Sequence, residues 1–532
     1  MPTQYQLSLL DYMVLAAMFA GVGAIAWRCS KRVSTAEGYF LADRSAPGWV
    51  VGLSFIGASI SSLSFLAFPA AAYQGNWGGI VPFLMMPVVA ILADRVCLPL
   101  YRRLGIASGY EYLERRFGTL TRVYGSSMFL LLQAGRMGLI LVLLAIPLKL
   151  LTGLTPTQSI CLCGAVTTLY VVFGGLSAVL WIDMMQTFVL ALGAVLCIGL
   201  ICHELPEGIS TVVDLGLRDG KFALPPIHIS GGSLLGDFCQ VTLLVLVLHG
   251  LSNQLLYYSA DQNIVQRYLA TRTNTQARIA LWVGSLGVVP LFCFFTFIGT
   301  CLYAYYATVP DPRVSGLNPD EVFPHFILTR VPAGFTGIII AALIAAATSA
   351  LTTSLSAVSM VFQIDIYRRL LVKRQTEAHY LRVAKLTTLA GGGVVTLGAL
   401  ALASVPTRTL LDLVFLVYAI FAGGLGGLFL LGMLSRRANA VGANLGIGVS
   451  LAVSLYLVGS HFHWLVPPGL RWPTHPFLIG TLTNAALVTV GYGASLVVGG
   501  RKTAIDGLTI WTSSSPRAEK LTGASPKSES PS

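Results

Sequence analysis

Residues 54–73, SFIGASISSLSFLAFPAAAY, are apolar enough to cross a membrane, yet a glycine, several serines and a proline interrupt them. Glycine and proline weaken a helix and free backbone carbonyls, and hydroxyl side chains add further oxygen atoms. Lipid does not tolerate such an interruption unless protein or a water-filled cavity surrounds it. The stretch therefore indicates either a broken helix that binds something polar or a helix that packs closely through small residues.

The overall composition extends the membrane interpretation to the whole chain. Of its 532 residues, 55% are hydrophobic and 11% are charged, and the mean hydropathy is +0.75. These values are far from those of a soluble enzyme. Apolar runs of about twenty residues recur, each long enough to cross roughly 30 Å of hydrocarbon. We predict an all-α polytopic membrane protein with about thirteen transmembrane helices, near residues 8–28, 48–73, 77–100, 123–150, 156–177, 183–203, 238–259, 279–304, 332–362, 383–403, 409–433, 438–459 and 476–498.

The charged residues predict how the chain is oriented. The net charge is +12, but nearly all of the 34 Lys and Arg residues lie in short loops and not on one folded surface, which argues against nucleic acid as a partner. They concentrate in alternate loops, such as 102–122 and 368–385, and basic loops face the cytoplasm. We therefore predict a multi-pass protein of the plasma (inner) membrane, with its N-terminus outside and its C-terminus cytoplasmic. Residues 499–532 are rich in Ser and Pro and are predicted to be a disordered cytoplasmic tail.

A second group of hydroxyl side chains lies in the segment 341–369. The spacing i, i+3, i+4, i+7 places its members on one helix face, and they are Ser349, Thr352, Thr353 and Ser356. Alanine would satisfy helix packing there, so the hydroxyls favour a polar ligand, with packing as the alternative. Sodium is a hard cation that takes several oxygen ligands, and hydroxyls together with freed carbonyls can provide them.

Two charged residues lie in apolar runs. Asp183 either caps a helix at the membrane interface or is an intramembrane acid whose partners are a cation and the hydroxyls at 352 and 353. Arg136 lies deep in its run, where a guanidinium costs a few kcal/mol or more unless it is paired. It belongs either to an internal ion pair or to a clamp for an anion, because its fork matches a carboxylate.

The interrupted stretches occur in the second and the seventh predicted spans. Broken helices at corresponding positions of two halves are typical of secondary transporters built from inverted repeats, whose binding site lies near the middle of the membrane. The sequence contains no His/Cys cluster for a catalytic metal and no nucleophile motif with placed partners, so an enzyme is not predicted.

Several motifs resemble one known family, the sodium:solute symporters, in the expected order over roughly residues 30–460. They are EGYFLADRSAPGWVVGLSF, GGLSAVLWIDMMQTFVL, NQLLYYSADQNIVQRYLA, SAVSMVFQIDIYRR and FLLGMLSRRANAVGANLG. The resemblance implies a five-plus-five inverted repeat of the LeuT-like kind, with one helix before it and two after. The implied parts are an extra N-terminal span and loop at 1–47, the transport core at 48–433 and two C-terminal spans at 434–498.

The resemblance also implies two sodium sites. The main site corresponds to Gly57, Ile60, Ala346 and Ser349. Family members commonly carry Ser or Thr at the next position, where this chain has Ala350, so one oxygen ligand is missing. A second sodium site, known in some members, corresponds to Asp183, Ser349, Thr352 and Thr353.

The motifs QAGRMGLIL and SFLAFPAAAY are most similar to those of bacterial sodium-coupled sialic acid symporters. That branch implies that the acidic sugar is held by Ser59, Ser61, Ser64 and Arg136. The sugar-transporting branch would add Gln254 and Tyr257.

The sequence thus predicts a sodium-coupled symporter that imports a small polar solute, carboxylate-bearing like sialic acid or another organic acid. Its expected partners are the solute, the co-transported sodium ion and the lipid bilayer. A symporter of a neutral sugar, polyol or amino acid is the alternative. A nutrient sensor is less favoured, because the tail is too short for a signalling domain.

Overall fold

The computed structural model describes residues 7–227, 238–372, 374–403, 416–463, 466–472, 474–498 and 507–512. Within these residues the regular secondary structure is helical, apart from one isolated bridge between Ala46 and Thr271. Ten helices are long and apolar enough to cross a membrane, and two bent helix pairs each qualify as a further span. The predicted all-α polytopic membrane fold is confirmed.

We number the helices of nine residues or more in chain order. They are α1 (Leu9–Ser30), α2 (Gly48–Ser59), α3 (Ser62–Gln74), α4 (Trp77–Leu104), α5 (Gly109–Phe117), α6 (Thr119–Thr152), α7 (Pro156–His203), α8 (Ile209–Arg218), α9 (Leu243–Ser259), α10 (Gln262–Ala270), α11 (Asn274–Thr308), α12 (Pro319–Arg330), α13 (Phe335–Leu371), α14 (Glu377–Leu402), α15 (Leu416–Leu434), α16 (Ala440–His461) and α17 (Pro476–Val498). Helices α1, α4 and α13 all terminate on the same side of the bundle. We call this side the basic face, since it carries Arg102, Arg103, Arg115, Arg368 and Arg369.

The predicted interruption of the second span is present, whereas the break of the seventh lies just after its predicted end at 259 and the helix is continuous through Gly250, Asn253 and Gln254. Ile60 and Ser61 adopt extended backbone between α2 and α3, and the two helix axes differ by 58°. Helices α9 and α10 differ by 48°, and α10 is capped at its N-terminus by Asp261, whose side chain accepts the Asn263 N–H. Each break removes main-chain hydrogen bonds and thereby leaves carbonyl oxygens available inside the protein.

Helix α7 contains two predicted spans in one 48-residue segment. The segment breaks at Gly175, whose φ of 56° is in the left-handed region. A side chain there would also meet the Tyr39 carbonyl, since a Cβ atom would lie 2.6 Å from that oxygen. Glycine is thus required at this turn. With α7 counted as two spans, the described helices give the predicted total of thirteen.

Helix α13 lies at the centre of the bundle, with nearly all of its residues buried. Small residues such as those at 345–347 allow α7 and α6 to pack closely against it. It continues to Leu371, beyond the predicted end at 362, because Asp365 is neutralised by Arg122 instead of entering solvent.

The prediction of a disordered tail is wrong for residues 507–512, GLTIWT, which pack against the basic face. Arg103 donates hydrogen bonds to the carbonyls of Gly507, Thr509 and Thr512 at 2.6, 3.0 and 3.1 Å. The Trp511 indole donates to Leu434 O at 2.6 Å. Three apolar side chains in this short stretch distinguish it from the Ser-rich sequence around it. The remainder of the predicted tail, and the first part of the predicted span at 409–433, lie outside the described residues.

Candidate transport site

A cavity of about 370 Å³ lies beside the break between α2 and α3. Its lining combines apolar walls with a small number of polar groups, which is the usual character of a small-molecule site. All six residues predicted to bind the solute line it, namely Ser59, Ser61, Ser64, Arg136, Gln254 and Tyr257. It also contains polar residues that were not assigned to the solute site from the sequence, namely Gln133, His249, Asn253, Asp261 and Tyr418.

Arg136 projects from α6 into this cavity. It makes no hydrogen bond or ion pair with any residue that the structure describes, and its nearest charged or ionisable neighbours include Tyr418, Asp261 and Tyr257. The internal ion pair considered from the sequence is therefore absent from the described part of the chain. A guanidinium left without a protein partner in such a cavity is available to a carboxylate.

Three predicted residues connect helices around the cavity. The hydroxyls of Ser59 on α2 and Tyr257 on α9 are 2.8 Å apart, and Ser59 also donates to Phe55 O at 2.7 Å. Gln254 donates to Pro82 O at 3.3 Å, so part of its amide serves to hold α4 against α9. The cavity wall is thus built jointly by both broken helices.

Gln133 is the clearest polar residue that the sequence analysis missed. Its side chain is fully buried, and neither amide atom has a partner within the described structure. It precedes Arg136 by three residues and so lies on the same face of α6. That spacing, within the motif QAGRMGLIL, was the available signal.

The residues of the predicted main sodium site lie where the end of α2 meets α13 and α7. Ile60 is at the break, and a methyl group on Gly57 would lie 3.1 Å from Ser349 Oγ. The same methyl group would lie 2.7 Å from Thr187 Oγ1, an oxygen that the prediction did not include. Ala346 is buried on α13, one turn before Ser349. Carbonyl and hydroxyl oxygens suit a monovalent hard cation, and the Asp183 carboxylate lies next to them, since its Oδ1 accepts a hydrogen bond from Ser349 Oγ at 2.7 Å.

Asp183 is fully buried within α7, so it is an intramembrane acid and not a cap at the interface. Its Oδ1 atom accepts a hydrogen bond from Ser349 Oγ at 2.7 Å. Its Oδ2 atom accepts bonds from Ser54 Oγ at 2.9 Å and Thr353 Oγ1 at 3.2 Å. The same Oδ2 forms an ion pair with Arg267 Nη2 at 2.8 Å.

The predicted second sodium site differs from the observed cluster in two respects. Arg267 Nη2 also donates to Thr353 Oγ1 at 2.8 Å and to Ser54 Oγ at 3.0 Å, so a guanidinium takes the place expected for a metal cation. The Thr352 hydroxyl instead donates to Thr348 O on its own helix at 2.9 Å. Arg267 was missed because it follows the broken span in a polar stretch that the sequence analysis placed in a loop.

A second buried ionic cluster closes the basic face. Asp365 accepts hydrogen bonds from Arg122 Nε at 2.7 Å and from Ser108 Oγ at 2.6 Å. Glu114 pairs with Arg122 and with Arg369 Nη2, the latter at 2.6 Å. Burial favours a raised pKa for Glu114, but the hydrogen bonds from the two arginines lower it to about 2. The stabilisation from Glu114 is therefore fully present above its ordinary pKa near 4.5 and is lost only as the pH falls towards 2.

Comparisons with known proteins agree with this architecture. The model of the Sodium:solute symporter family matches residues 39–449. The sodium/sialic acid symporter SiaT of Proteus mirabilis is 32% identical over 446 residues, covering 84% of this chain and 89% of the relative. The sodium/sialic acid symporter NanT of Aliivibrio fischeri is 30% identical over 452 residues, covering 84% and 87%.

A solved structure gives the same result. A Na⁺-coupled sialic acid symporter in its substrate-bound, outward-open state matches with a TM-score of 0.83 and 30% identity, covering 92% of this chain and 98% of that one. The resemblance inferred from the motifs is confirmed over most of the sequence. The chain belongs to the sodium:solute symporter family.

Proposed function

We propose that the protein imports an acidic sugar such as sialic acid, or another organic acid, together with sodium. As a family member it is a sodium-coupled polytopic membrane transporter and not an enzyme. The observation that carries the choice of solute is the unpaired guanidinium of Arg136 in a cavity with three serine hydroxyls. Serine and amide groups suit the hydroxyls of a sugar, whereas the guanidinium suits its carboxylate. A neutral solute would leave the Arg136 guanidinium without an ion-pair partner, with its charge balanced only through space by Asp261.

We further propose the orientation and the division of the chain. The basic face is cytoplasmic and the N-terminus is outside, in the plasma membrane, since Lys and Arg concentrate at that face. Residues 48–433 form the transport core, with one span before it and two after it. The ion pairs of Asp365 and Glu114 then close the cytoplasmic side, and release of solute into the cell requires them to separate.

We place one sodium ion among the oxygens near Gly57, Ile60, Ala346 and Ser349. At the second position, Arg267 already supplies the positive charge beside Asp183. We infer that one sodium ion accompanies each solute in this protein.

This stoichiometry determines the driving force. A membrane potential of about 100 mV favours entry of one sodium charge by about 2.3 kcal/mol, and it opposes entry of one carboxylate by the same amount. The two contributions cancel, so a tenfold sodium gradient alone, worth about 1.4 kcal/mol, would accumulate the anion about tenfold. A neutral solute would be driven by both the membrane potential and the sodium gradient, and its accumulation would reach roughly 500-fold.

The experiment that tests the proposed function is uptake by purified protein in proteoliposomes. We expect uptake of labelled sialic acid with an inward sodium gradient, and little uptake with choline or with a proton gradient alone. Because the coupled step is proposed to be electroneutral, an imposed inside-negative potential should change the accumulation less than twofold. Uptake that ignores sodium would refute the coupling, and strong potential dependence would refute a single sodium ion per anion. A screen of other organic acids, sugars and amino acids by thermal shift identifies the solute if sialic acid gives no uptake.

The Ser349→Ala variant should bind sodium more weakly at the proposed site while still folding. The change removes one hydroxyl oxygen at a site that already lacks one because of Ala350. The loss of one oxygen ligand, at about 1–2 kcal/mol, should raise the sodium concentration for half-maximal uptake about tenfold. Uptake is measured against sodium concentration at saturating solute.

The matched control is Ser354→Ala on the same helix. Ser354 is fully buried, and its hydroxyl has no partner among the described residues. Ser62→Ala is a second control, since that hydroxyl donates only a 3.4 Å bond to Ile140 O. Equal sodium dependence in Ser349→Ala and in both controls would show that Ser349 is not a sodium ligand.

A further inference from the structure

A groove of about 730 Å³ lies at the basic face where the end of α1 meets the second half of α7. Its walls combine the basic residues Arg28, Lys31 and Arg32 with the aromatic Trp27 and Trp181, and Ile25 and Cys29 complete the lining. Helix α1 is an outer helix of the bundle, and most of its surface is exposed. The groove therefore opens towards the region that lipid occupies around a membrane protein.

Three cations of this groove lack an acidic partner. Arg28, Lys31 and Arg32 are exposed, and none makes an ion pair with a carboxylate within the described residues. The next acid along the chain, Glu37, is already paired with Arg44 at 2.9 Å. Like charges so close together on a concave surface favour an anionic ligand.

The aromatic walls indicate that this ligand is also amphiphilic. Trp27 is 61% exposed and Trp181 is 37% exposed, although both are large apolar side chains. The Lys31 ammonium lies 3.5 Å from the centre of the Trp27 ring, and Trp49 packs edge-on against Trp181. Tryptophan is enriched where a membrane protein meets lipid headgroups. Inorganic phosphate would satisfy the cations but not these exposed rings.

We propose that the groove binds an anionic phospholipid, with its phosphate at Arg28 and Arg32 and its acyl chains along α1. This inference rests on the proposed orientation, which places the basic face in the cytoplasmic leaflet. The positive-inside rule by itself would account for three cations in a cytoplasmic loop. It would not account for the groove or for a tryptophan contributed by a second helix. Trp181 precedes Asp183 by two residues in α7, and Trp49 lies in the first turn of α2, so a lipid held here supports two helices that form the transport site.

The test compares two triple variants of the full chain in detergent and in nanodiscs. R28Q/K31Q/R32Q removes the groove cations, and R374Q/R382Q/K385Q removes three other cations of the basic face, so that both have the same net charge. Native mass spectrometry after mixing with phosphatidylglycerol measures retained lipid, and thermal denaturation compares phosphatidylethanolamine nanodiscs with and without phosphatidylglycerol.

We expect the wild type and the control variant to retain phosphatidylglycerol and to be stabilised by it, and the groove variant to lose at least fivefold in retention. Equal retention in both triple variants would overturn the proposal, as would equal stabilisation of the wild type by inorganic phosphate. If the groove variant does not insert, W181A keeps every charge and should still lose at least twofold. Lipid retention is independent of uptake, so failure of the transport assay leaves this test intact.

Discussion

Replacing Arg136 by glutamine should abolish high-affinity binding of an acidic solute. The guanidinium is the cationic group that the cavity offers, and it forms no ion pair or hydrogen bond with a described residue, although the Asp261 carboxylate lines the same cavity. Truncating one member of a buried, hydrogen-bonded charge pair costs about 2–5 kcal/mol, which corresponds to a weakening between about 30-fold and 5,000-fold. Isothermal titration of purified protein with sialic acid, in saturating sodium, measures the change directly.

A conservative variant and a control variant show whether this loss of affinity is specific to the Arg136 guanidinium. Arg136→Lys keeps the charge but loses the two-pronged donor, so we expect an affinity between those of the wild type and Arg136→Gln. Arg278→Gln removes an exposed arginine that pairs with Asp94, and its solute affinity should match the wild type. If Arg136→Gln retains the wild-type affinity for every acidic candidate, the solute is not bound through a carboxylate at this residue, and the neutral-solute alternative gains.

Replacing Arg267 by methionine should make the protein depend on sodium for its stability. Asp183 is fully buried, and Arg267 is its cationic partner in the described structure. Leaving a buried charge unpaired costs about 3–5 kcal/mol. Sodium can then bind to the oxygens that the guanidinium contacted, on Asp183, Ser54 and Thr353, and restore part of the lost stability. Thermal denaturation in sodium chloride and in choline chloride should differ by more in this variant than in the wild type.

The double variant Arg267→Met with Asp183→Asn provides the control. It removes both charges, so it should regain stability in choline while losing the enhanced response to sodium. If sodium stabilises Arg267→Met no more than the wild type, the guanidinium does not hold the place of a cation. The inferred stoichiometry of one sodium ion would then lose its structural support.

Much of the fold followed from local pattern. Apolar runs and the Gly, Ser and Pro interruptions indicated the spans and both broken helices, because each depends on a short stretch of chain. The boundary inside α7 was less predictable, because it depends on the left-handed backbone conformation of a single glycine, Gly175, within a continuous apolar segment. The end of α13 was misplaced because Asp365 and its distant partner Arg122 neutralise one another only in the folded protein.

The candidate site was predictable to a similar degree. Ser349 and Thr353 were identified because one helix face is readable from spacing of four residues. Arg267 and Gln133 were not, since their importance depends on residues far away in the chain or on a cavity. The tail segment 507–512 was missed for the same reason, because its stability comes from carbonyls that Arg103 binds after folding.

That tail segment also offers a labelling site outside the membrane that would report movement of the helices. It spans from Arg103 at the end of α4 to Leu434 at the end of α15. In the proposed core these helices belong to opposite repeats, so movement of one repeat against the other must stretch or release a peptide of six residues. A fluorophore attached at Thr512 would convert that movement into an optical signal, recorded in real time without touching the solute cavity.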